Sequence, residues 1–475
     1  MTDLSLQNAY LWTAKNLHFV YLILALPIVL ITARITPPFQ VADEPNHFCR
    51  AEQVSRGRLV AQFHPTGPRL VNVADTLILL PDPGGFVTDK GIAEADSVFA
   101  YLQFRPEQKV LPEKMAQGRT FHWNTGTEYG EFGNTALYPA TGYLTSALGI
   151  VIGRMLGLSV INTLYLSRWL NGIFCVLLCF YALRMARGVA PLLFVVLLFP
   201  MTISLFASIS QDGVLIALAS LFAASIYEVE SSGAGYSVGR RVLLVACLVA
   251  IVAAKPPYLP LVGILFFLSL RRREKVISFA ATLILVTGWM LVNHKNYGVV
   301  WAPAARRINA SAQLHHIFSH PFHFAAMFFH FDFGAIRDHI WMFIGLLGWE
   351  DLSFPMWYYK TALLATIVSM LLVTRWDMRS GWLRAGVAVL LVLAVAGILT
   401  GQYVTWMPLD APELGGVQSR YFIPLVPFLA LVLGITKDEP VMIKQRRALG
   451  LVFVLLFGLF SQIVLVEGII SRYYM

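Results

Sequence analysis

Two adjacent acids, Asp43 and Glu44, are the residues of this chain best suited to chemistry. They lie in residues 37–50 (PPFQVADEPNHFCR), which begin three residues after an apolar run at 17–33. Acids at the edge of a bilayer are rare and commonly functional, so we expect a catalytic or substrate-binding role. One carboxylate can accept the proton of an acceptor hydroxyl, while its neighbour holds the acceptor or a divalent cation. The alternative is that Asp43 caps a helix beginning near Glu44.

His47 and Arg50 follow Glu44 at helical spacing, so the three side chains lie on nearly the same face. His47 and Arg50 both suit contact with a phosphate or a sugar hydroxyl. The alternative is an ion pair that only holds Glu44 in place. The residues themselves leave both interpretations open.

Cations at the ends of later apolar runs are candidate phosphate ligands. Arg420 follows two glycines, and Lys255 precedes a Pro-Pro pair. A fixed guanidinium at headgroup level can grip a phosphate through two hydrogen bonds. The alternative for both residues is anchoring by snorkelling to the headgroups. Arg168 is a candidate of the same kind, whereas Asp212 is expected mainly to favour the dipole of the helix that it starts.

The histidines of the chain do not predict a metal site. Five of them fall within 315–330, but no recognisable third ligand or second shell accompanies them, which favours a wet amphipathic helix. They are His315, His316, His320, His323 and His330. No metal ligand is therefore assigned, and the one cofactor left open is a divalent cation at the acids. Candidate second carboxylates are Glu128, Glu131, Asp351 and Glu413. The chain lacks a phosphate-binding Gly loop and a Rossmann fingerprint, which argues against ATP or NAD use.

The composition predicts a helical membrane protein. Hydrophobic residues make up 57% and charged residues 13% of the chain, far from the values of soluble domains. The net charge of +9 comes from Arg and Lys in short loops between apolar runs, so it indicates the positive-inside pattern and not nucleic-acid binding. The four cysteines suggest no disulfide framework. The first apolar run is interpreted as a retained anchor.

Placing the basic loops at 184–187, 240–241, 271–275, 375–384 and 444–447 in the cytoplasm gives a topology. It has the N-terminus inside, the C-terminus outside and eleven spans. The spans are 17–34, 164–183, 190–208, 212–229, 241–254, 256–270, 276–295, 358–374, 385–405, 421–435 and 448–469.

One membrane domain, 1–475, then carries two large external loops at 35–163 and 297–357. Within the first loop, 136–158 cannot be a span, because the basic loop at 184–187 would then lie outside. Its prolines, glycines and Arg suit a helix at the membrane interface. Charged residues interrupt 320–349, which is expected to form an amphipathic juxtamembrane helix followed by a shallow or re-entrant piece.

Five motifs, in this order along the chain, resemble a bacterial membrane-protein family of the GT-C glycosyltransferase superfamily. They are residues 37–47, 134–139, 208–212, 254–258 and 416–424. The resemblance covers nearly the whole chain and implies a GT-C-like fold. It implies that Asp43 is the general base with Glu44 beside it, and that Arg420 and Lys255 lie near a lipid phosphate. Tyr258 and Tyr421 belong to the same motifs and are included among the substrate-binding residues. The first external loop lacks a clear second Asp-x-Asp-type motif, which argues against an essential metal.

The implied activity is inverting sugar transfer from a polyprenyl-phosphate-linked donor to an envelope glycan or a lipid-linked acceptor. The reaction is expected at the periplasmic face of the bacterial inner membrane, with membrane lipid as a further partner. A membrane polysaccharide polymerase is an alternative, because it uses lipid-linked donors too. A flippase of lipid-linked glycans is the second alternative, although broken or charged mid-membrane helices and repeated halves are not evident.

Overall fold

The computed structural model describes the protein in several stretches of chain. These are residues 2–64, 69–73, 76–80, 85–124, 126–130, 132–297, 308–329, 333–373, 381–434 and 445–475. Glu131, His330, the side chain of Glu128 and parts of the predicted basic loops at 375–384 and 444–447 lie outside the described residues.

The predicted helical membrane class is confirmed. The protein is 76% helical, and six helices among the described residues are long and apolar enough to cross a bilayer. They are Lys15–Ile35, Val160–Met185, Gln211–Ser232, Arg272–Val292, Gly381–Trp406 and Ala448–Tyr474. Arg187–Leu197 and Pro200–Phe206 meet at 84° and make a seventh if they form one broken span. The break lies at Pro200, which has no backbone N–H and disfavours a helical conformation at the residue before it.

The number of eleven spans stays a prediction. Further apolar helices coincide with predicted spans, but each is at or below the length that crosses a bilayer. They are Val238–Ala254, the 3-10 helix Pro256–Phe266, Met356–Val373, and the 3-10 helix Ser419–Leu425 continued by Val426–Gly434.

Gln211–Ser232 is the central helix of the bundle. In its apolar window, 83% of the residues are buried, which is the largest share among the six spans. The helix begins at Ser210, whose hydroxyl accepts the backbone N–H of Asp212 at 3.1 Å. Asp212 is therefore fixed in the first turn of the most buried helix.

The first loop, residues 36–159, combines short helices with short strands. Its helices are Glu44–Ser55, Lys90–Phe99, Pro112–Gly118, Gly133–Ala136 and Leu144–Met155, with 3-10 turns Ala100–Leu102 and Ala140–Gly142. An antiparallel sheet is formed by Phe63–His64, Gly85–Asp89 and Thr127–Gly130, with Gly85–Asp89 in the middle, and Arg69–Val73 pairs with Thr76–Leu80. The expectation of an all-α protein fits the membrane part, whereas these strands are not predicted by the sequence analysis.

Leu144–Met155 is too short to span a bilayer, in agreement with the interpretation of 136–158. The helix lies close against the start of the span Val160–Met185, because a methyl group at Gly149 would be only 2.6 Å from Ser167 Cα. Its other face leaves Leu148 and Met155 exposed. An exposed apolar face on a helix beside a span is typical of an interfacial helix.

The described parts of the second loop, residues 293–297, 308–329 and 333–355, contain four short helices. They are His294–Tyr297, Ala310–Ser319, Pro321–Met327 and Phe333–Gly345. The amphipathic character predicted for 320–349 is visible where described, since Phe322 is exposed while Met327 packs with Tyr403. His339 in the last of these helices contacts the Ser419 hydroxyl at 2.9 Å.

The last turn of the helix Gln445–Tyr474 packs against the start of the first loop. The Tyr474 hydroxyl donates to the Ile35 carbonyl at 2.8 Å, and the Tyr473 hydroxyl donates to the Gln40 carbonyl at 3.3 Å. These bonds fix the backbone that leads into Asp43.

Candidate active site

Asp43 occupies the turn between the first span and the helix Glu44–Ser55. Its backbone is in the left-handed region, with φ 64° and ψ 4°, which Asp tolerates better than most residues. Asp43 holds the N-cap position, yet its side chain makes no capping hydrogen bond. Asp43 therefore starts the helix where the sequence predicts, but its carboxylate does not cap that helix and is directed elsewhere.

The Asp43 carboxylate forms an ion pair with Arg420, 377 residues further along the chain. Asn134 is its other polar contact, donating to Oδ1 at the long distance of 3.4 Å. The Asp43 side chain is 24% exposed, whereas that of Arg420 is 8% exposed. The acid is thus the more accessible member of the pair.

A second acid, Asp212, holds the two cations together. Its Oδ1 lies 2.7 Å from Lys255 Nζ, and its Oδ2 lies 3.4 Å from Arg420 Nε. Lys255 Nζ also lies 3.6 Å from the centroid of the Tyr421 ring, a cation–π contact. We call Asp43, Asp212, Lys255 and Arg420 the charge cluster. Its two acids and two cations give it a formal charge of zero.

Burial acts strongly on Lys255. It lowers the pKa of the Lys255 ammonium from 10.5 to about 8, although the carboxylate of Asp212 opposes the shift. Lys255 is therefore mostly charged at neutral pH and close to losing its proton. A cation in this state is sensitive to any anion that enters or leaves the cluster.

His47 is buried next to the charge cluster in a pocket of tyrosines. Its Nδ1 lies 2.6 Å from the Tyr143 hydroxyl, and its ring stacks on Tyr138 with centroids 6.2 Å apart. Burial lowers the pKa of His47 to about 4, although Asp43 and Asp212 oppose the shift. The imidazole is therefore neutral at pH 7, so it suits a hydrogen bond to a hydroxyl better than an ionic grip on a phosphate.

Glu44 and Arg168 form a separate, completely buried ion pair, with both side chains 0% exposed. Arg168 Nε donates to Glu44 Oε1 at 2.8 Å, and the same oxygen accepts the backbone N–H of Ile209 at 3.1 Å. The guanidinium also donates to the carbonyls of Ala33, Thr36 and Pro37. These contacts use the polar atoms of both side chains to hold the Asp43 turn, which favours a supporting role over contact with substrate.

Arg50 and Tyr258 also support the surrounding backbone. Arg50 is 0% exposed and donates to the carbonyls of Tyr138, Arg58 and Leu59. The buried Tyr258 hydroxyl donates to the Tyr421 carbonyl at 2.7 Å. Tyr258 thus fixes the 3-10 helix that presents Arg420, and the Tyr421 ring covers Lys255.

A pocket opens beside Arg420, between the first loop, the broken helix pair and the helix Phe333–Gly345. Its empty volume is about 440 Å³, part of which is open to solvent. One part of its wall is apolar and includes Met201, Leu205, Met342, Leu346 and Leu347. The polar part includes Arg420, Gln418, Ser419 and Glu350. The pocket therefore offers a guanidinium that can bind an anion, and apolar side chains that can contact an apolar group.

Metal ligands are not grouped in the part of the chain that the structure describes, where no three His, Cys, Asp or Glu side chains come together. The carboxylates of the charge cluster are engaged by cations. Asp351, a candidate second carboxylate, is paired with Arg472, and Glu413 is exposed. This donor set is not arranged as a cage of free oxygens for a divalent cation.

The structure thus brings together Asp43, Lys255, Arg420 and Tyr421, with His47 beside them. It places Glu44, Arg50, Arg168 and Tyr258 in supporting contacts. The importance of Asp212 is underestimated from the sequence, although the motif at 208–212 contains this residue. Asn134 and Tyr143 are not predicted as contacts of the site. The signal available for Asp212 is that three of the four residues before this acid are polar.

Comparison with known proteins agrees with the membrane class. A family model described as "Predicted membrane protein (DUF2142)" matches residues 26–429, and the chain therefore belongs to this family. The match includes all five motifs named above. No curated protein and no solved structure matches the chain.

Proposed function

For this membrane protein of the DUF2142 family, we propose inverting glycosyl transfer from a polyprenyl-phosphate-linked sugar to an envelope glycan or a lipid-linked acceptor. The observation that carries the proposal is the charge cluster beside an apolar-walled pocket, in which the partly exposed Asp43 pairs with Arg420 and Lys255 is held close by through Asp212. The GT-C resemblance of the five motifs supports the same reaction.

In the proposed reaction, Asp43 accepts the proton of the acceptor hydroxyl. The hydroxyl oxygen then forms a bond to the anomeric carbon while the bond from that carbon to the phosphate oxygen breaks on the opposite face. The lipid phosphate leaves with the bonding electron pair and needs no proton. Arg420 and Lys255 compensate the negative charge that develops on it.

The pocket supports a lipid-linked donor. Arg420 lines it together with the apolar side chains of Met201, Leu205 and Leu346. A ligand with an anionic head and an isoprenoid tail meets both requirements. A soluble nucleotide sugar would leave the apolar wall in contact with its polar groups.

The charge distribution supports a periplasmic active site in the bacterial inner membrane. The central helix carries Asp212 in its first turn, and Glu228 near its other end pairs with Arg240 at 2.6 Å. Arg241, next in the chain, pairs with Glu274. The Arg-rich end is expected to face the cytoplasm, and this expectation supports an outer location of the charge cluster.

A transfer assay tests the proposed function. The purified protein is incubated with labelled undecaprenyl-phosphate sugars and an envelope glycan fraction, and Asp43→Asn is compared with the wild type. Loss of a general base should lower the rate by a factor of about 100 to 10,000. Glu113→Gln, which removes an exposed acid of the same loop, is the matched control.

The outcomes separate the alternatives. Transfer by Asp43→Asn at the wild-type rate would exclude Asp43 as the base. Products extended by many repeats would indicate a polymerase. Movement of glycan across vesicle membranes without bond formation would indicate a flippase.

A further inference from the structure

The two groups with opposite tasks in the proposed reaction are bound to each other in this structure. Asp43 is the base for the acceptor and Arg420 is a ligand of the donor phosphate, yet they form one ion pair. A carboxylate oxygen that accepts a hydrogen bond from a guanidinium has fewer lone pairs free for an acceptor hydroxyl. An Arg held by a carboxylate is likewise less available to a phosphate. The observed pairing therefore suppresses both tasks at once.

The two partners are not anchored equally. Arg420 keeps Asp212 at 3.4 Å, the Ala42 carbonyl at 3.4 Å and the Tyr421 ring at 5.7 Å from its guanidinium. Asp43 has only Asn134, also at 3.4 Å, besides Arg420 among its described polar partners, and its side chain is 24% exposed against 8% for Arg420. If an anion competes for Arg420, the guanidinium keeps its place and the carboxylate moves away.

We propose that the Asp43–Arg420 ion pair is a latch that the donor phosphate opens, so that donor binding releases the base and precedes productive acceptor binding. The inference rests on the proposed function and adds an order of events to it. The phosphate of a polyprenyl-phosphate sugar carries one negative charge, as Asp43 does. When the phosphate replaces the Asp43 carboxylate at Arg420, the formal charge around the two cations stays the same. The Asp43 carboxylate is then free of the guanidinium.

The latch prevents the base from acting before a donor is present. Asp212 takes no part in the exchange, because it is nearly buried and is also held by Lys255 at 2.7 Å. It acts as the permanent counter-anion that keeps both cations in position.

A binding experiment without turnover tests the latch. The affinity of detergent-purified protein for farnesyl phosphate, which has no sugar to transfer, is measured by titration calorimetry at pH 7. The Asp43→Asn protein should bind this lipid about tenfold more tightly than the wild type, because the competing carboxylate is gone. Equal or weaker binding by Asp43→Asn would overturn the latch.

Controls identify the source of any change. Glu113→Gln alters the net charge by the same amount and should leave the affinity unchanged, whereas Arg420→Gln should lose most of the binding. Farnesol tests the tail alone and inorganic phosphate tests the head alone. Tightening seen with phosphate as well as farnesyl phosphate supports the latch, whereas tightening with farnesol would contradict it.

A second variant protects the test against misfolding. Asp43→Gly removes the carboxylate and suits the positive φ at this position, so it should reproduce the tighter binding if Asp43→Asn is unstable. The result is also independent of the reaction itself. Tight binding by the variants together with no transfer by the wild type would retain the latch and refute glycosyl transfer. Transfer by the wild type without tighter binding by the variants would support glycosyl transfer and refute the latch.

Discussion

The Glu44→Gln substitution separates a supporting role of Glu44 from a catalytic one. In the native protein Arg168 is completely buried, and Glu44 is its sole anionic partner among the described residues. The substitution leaves that guanidinium with neutral oxygens only. Removing one member of a buried ion pair costs about 3 to 5 kcal/mol, so we expect a loss of stability of this order.

Thermal unfolding of the purified protein measures this loss. The four cysteines are free and buried, so a thiol-reactive dye becomes fluorescent only as the protein opens. The apparent midpoint of Glu44→Gln should fall by about 3 to 5 °C. Activity measured below that midpoint should be reduced far less than by Asp43→Asn.

A double variant provides the control for this prediction. Glu44→Gln combined with Arg168→Gln removes both charges and should be less destabilised than Glu44→Gln alone, because no unpaired charge stays buried. A Glu44→Gln protein with a wild-type midpoint and a transfer rate reduced about 100-fold would refute the reasoning. It would then assign Glu44 to the chemistry.

Two further predictions concern charge and topology. Because the pKa of Lys255 is about 8, farnesyl phosphate affinity should fall as pH rises from 7 to 9, and Lys255→Arg should abolish this dependence. In Asp212→Asn the affinity should fall at lower pH than in the wild type, because Asp212 favours the charged form of Lys255. A pH dependence that calorimetry finds unchanged in Asp212→Asn would contradict the assignment of this dependence to Lys255. In spheroplasts, an impermeant maleimide should label Glu113→Cys directly but Arg273→Cys only after permeabilisation. The opposite labelling would place the site in the cytoplasm.

The helical architecture was predictable because long apolar runs and basic loops are local features of the sequence. The same applies to Asp43, Arg420 and Lys255, since charged residues beside apolar runs stand out against a background with 13% charged residues. Short strands such as Gly85–Asp89 are harder to predict, because a pairing of a few residues in a loop has no strong periodic pattern.

The division of labour between neighbouring residues was not predictable. Asp43 and Glu44 are adjacent, yet one pairs with Arg420 and the other with Arg168, 377 and 124 residues away. Such pairings depend on how helices pack, which no local spacing encodes. Asp212 is similar, because its sequence position fits a favourable helix-dipole charge and only packing brings Lys255 to it.

The bonds made by the last turn of Gln445–Tyr474 have a consequence for biosynthesis. Tyr473 holds the Gln40 carbonyl, and these residues are separated by 433 positions in the chain. The turn that carries Asp43 is synthesised well before two of its tethers, which lie 433 and 439 residues from their partners in the chain. Arg420 is synthesised 377 residues after Asp43. The candidate site should therefore acquire its final geometry only after these late segments have been inserted.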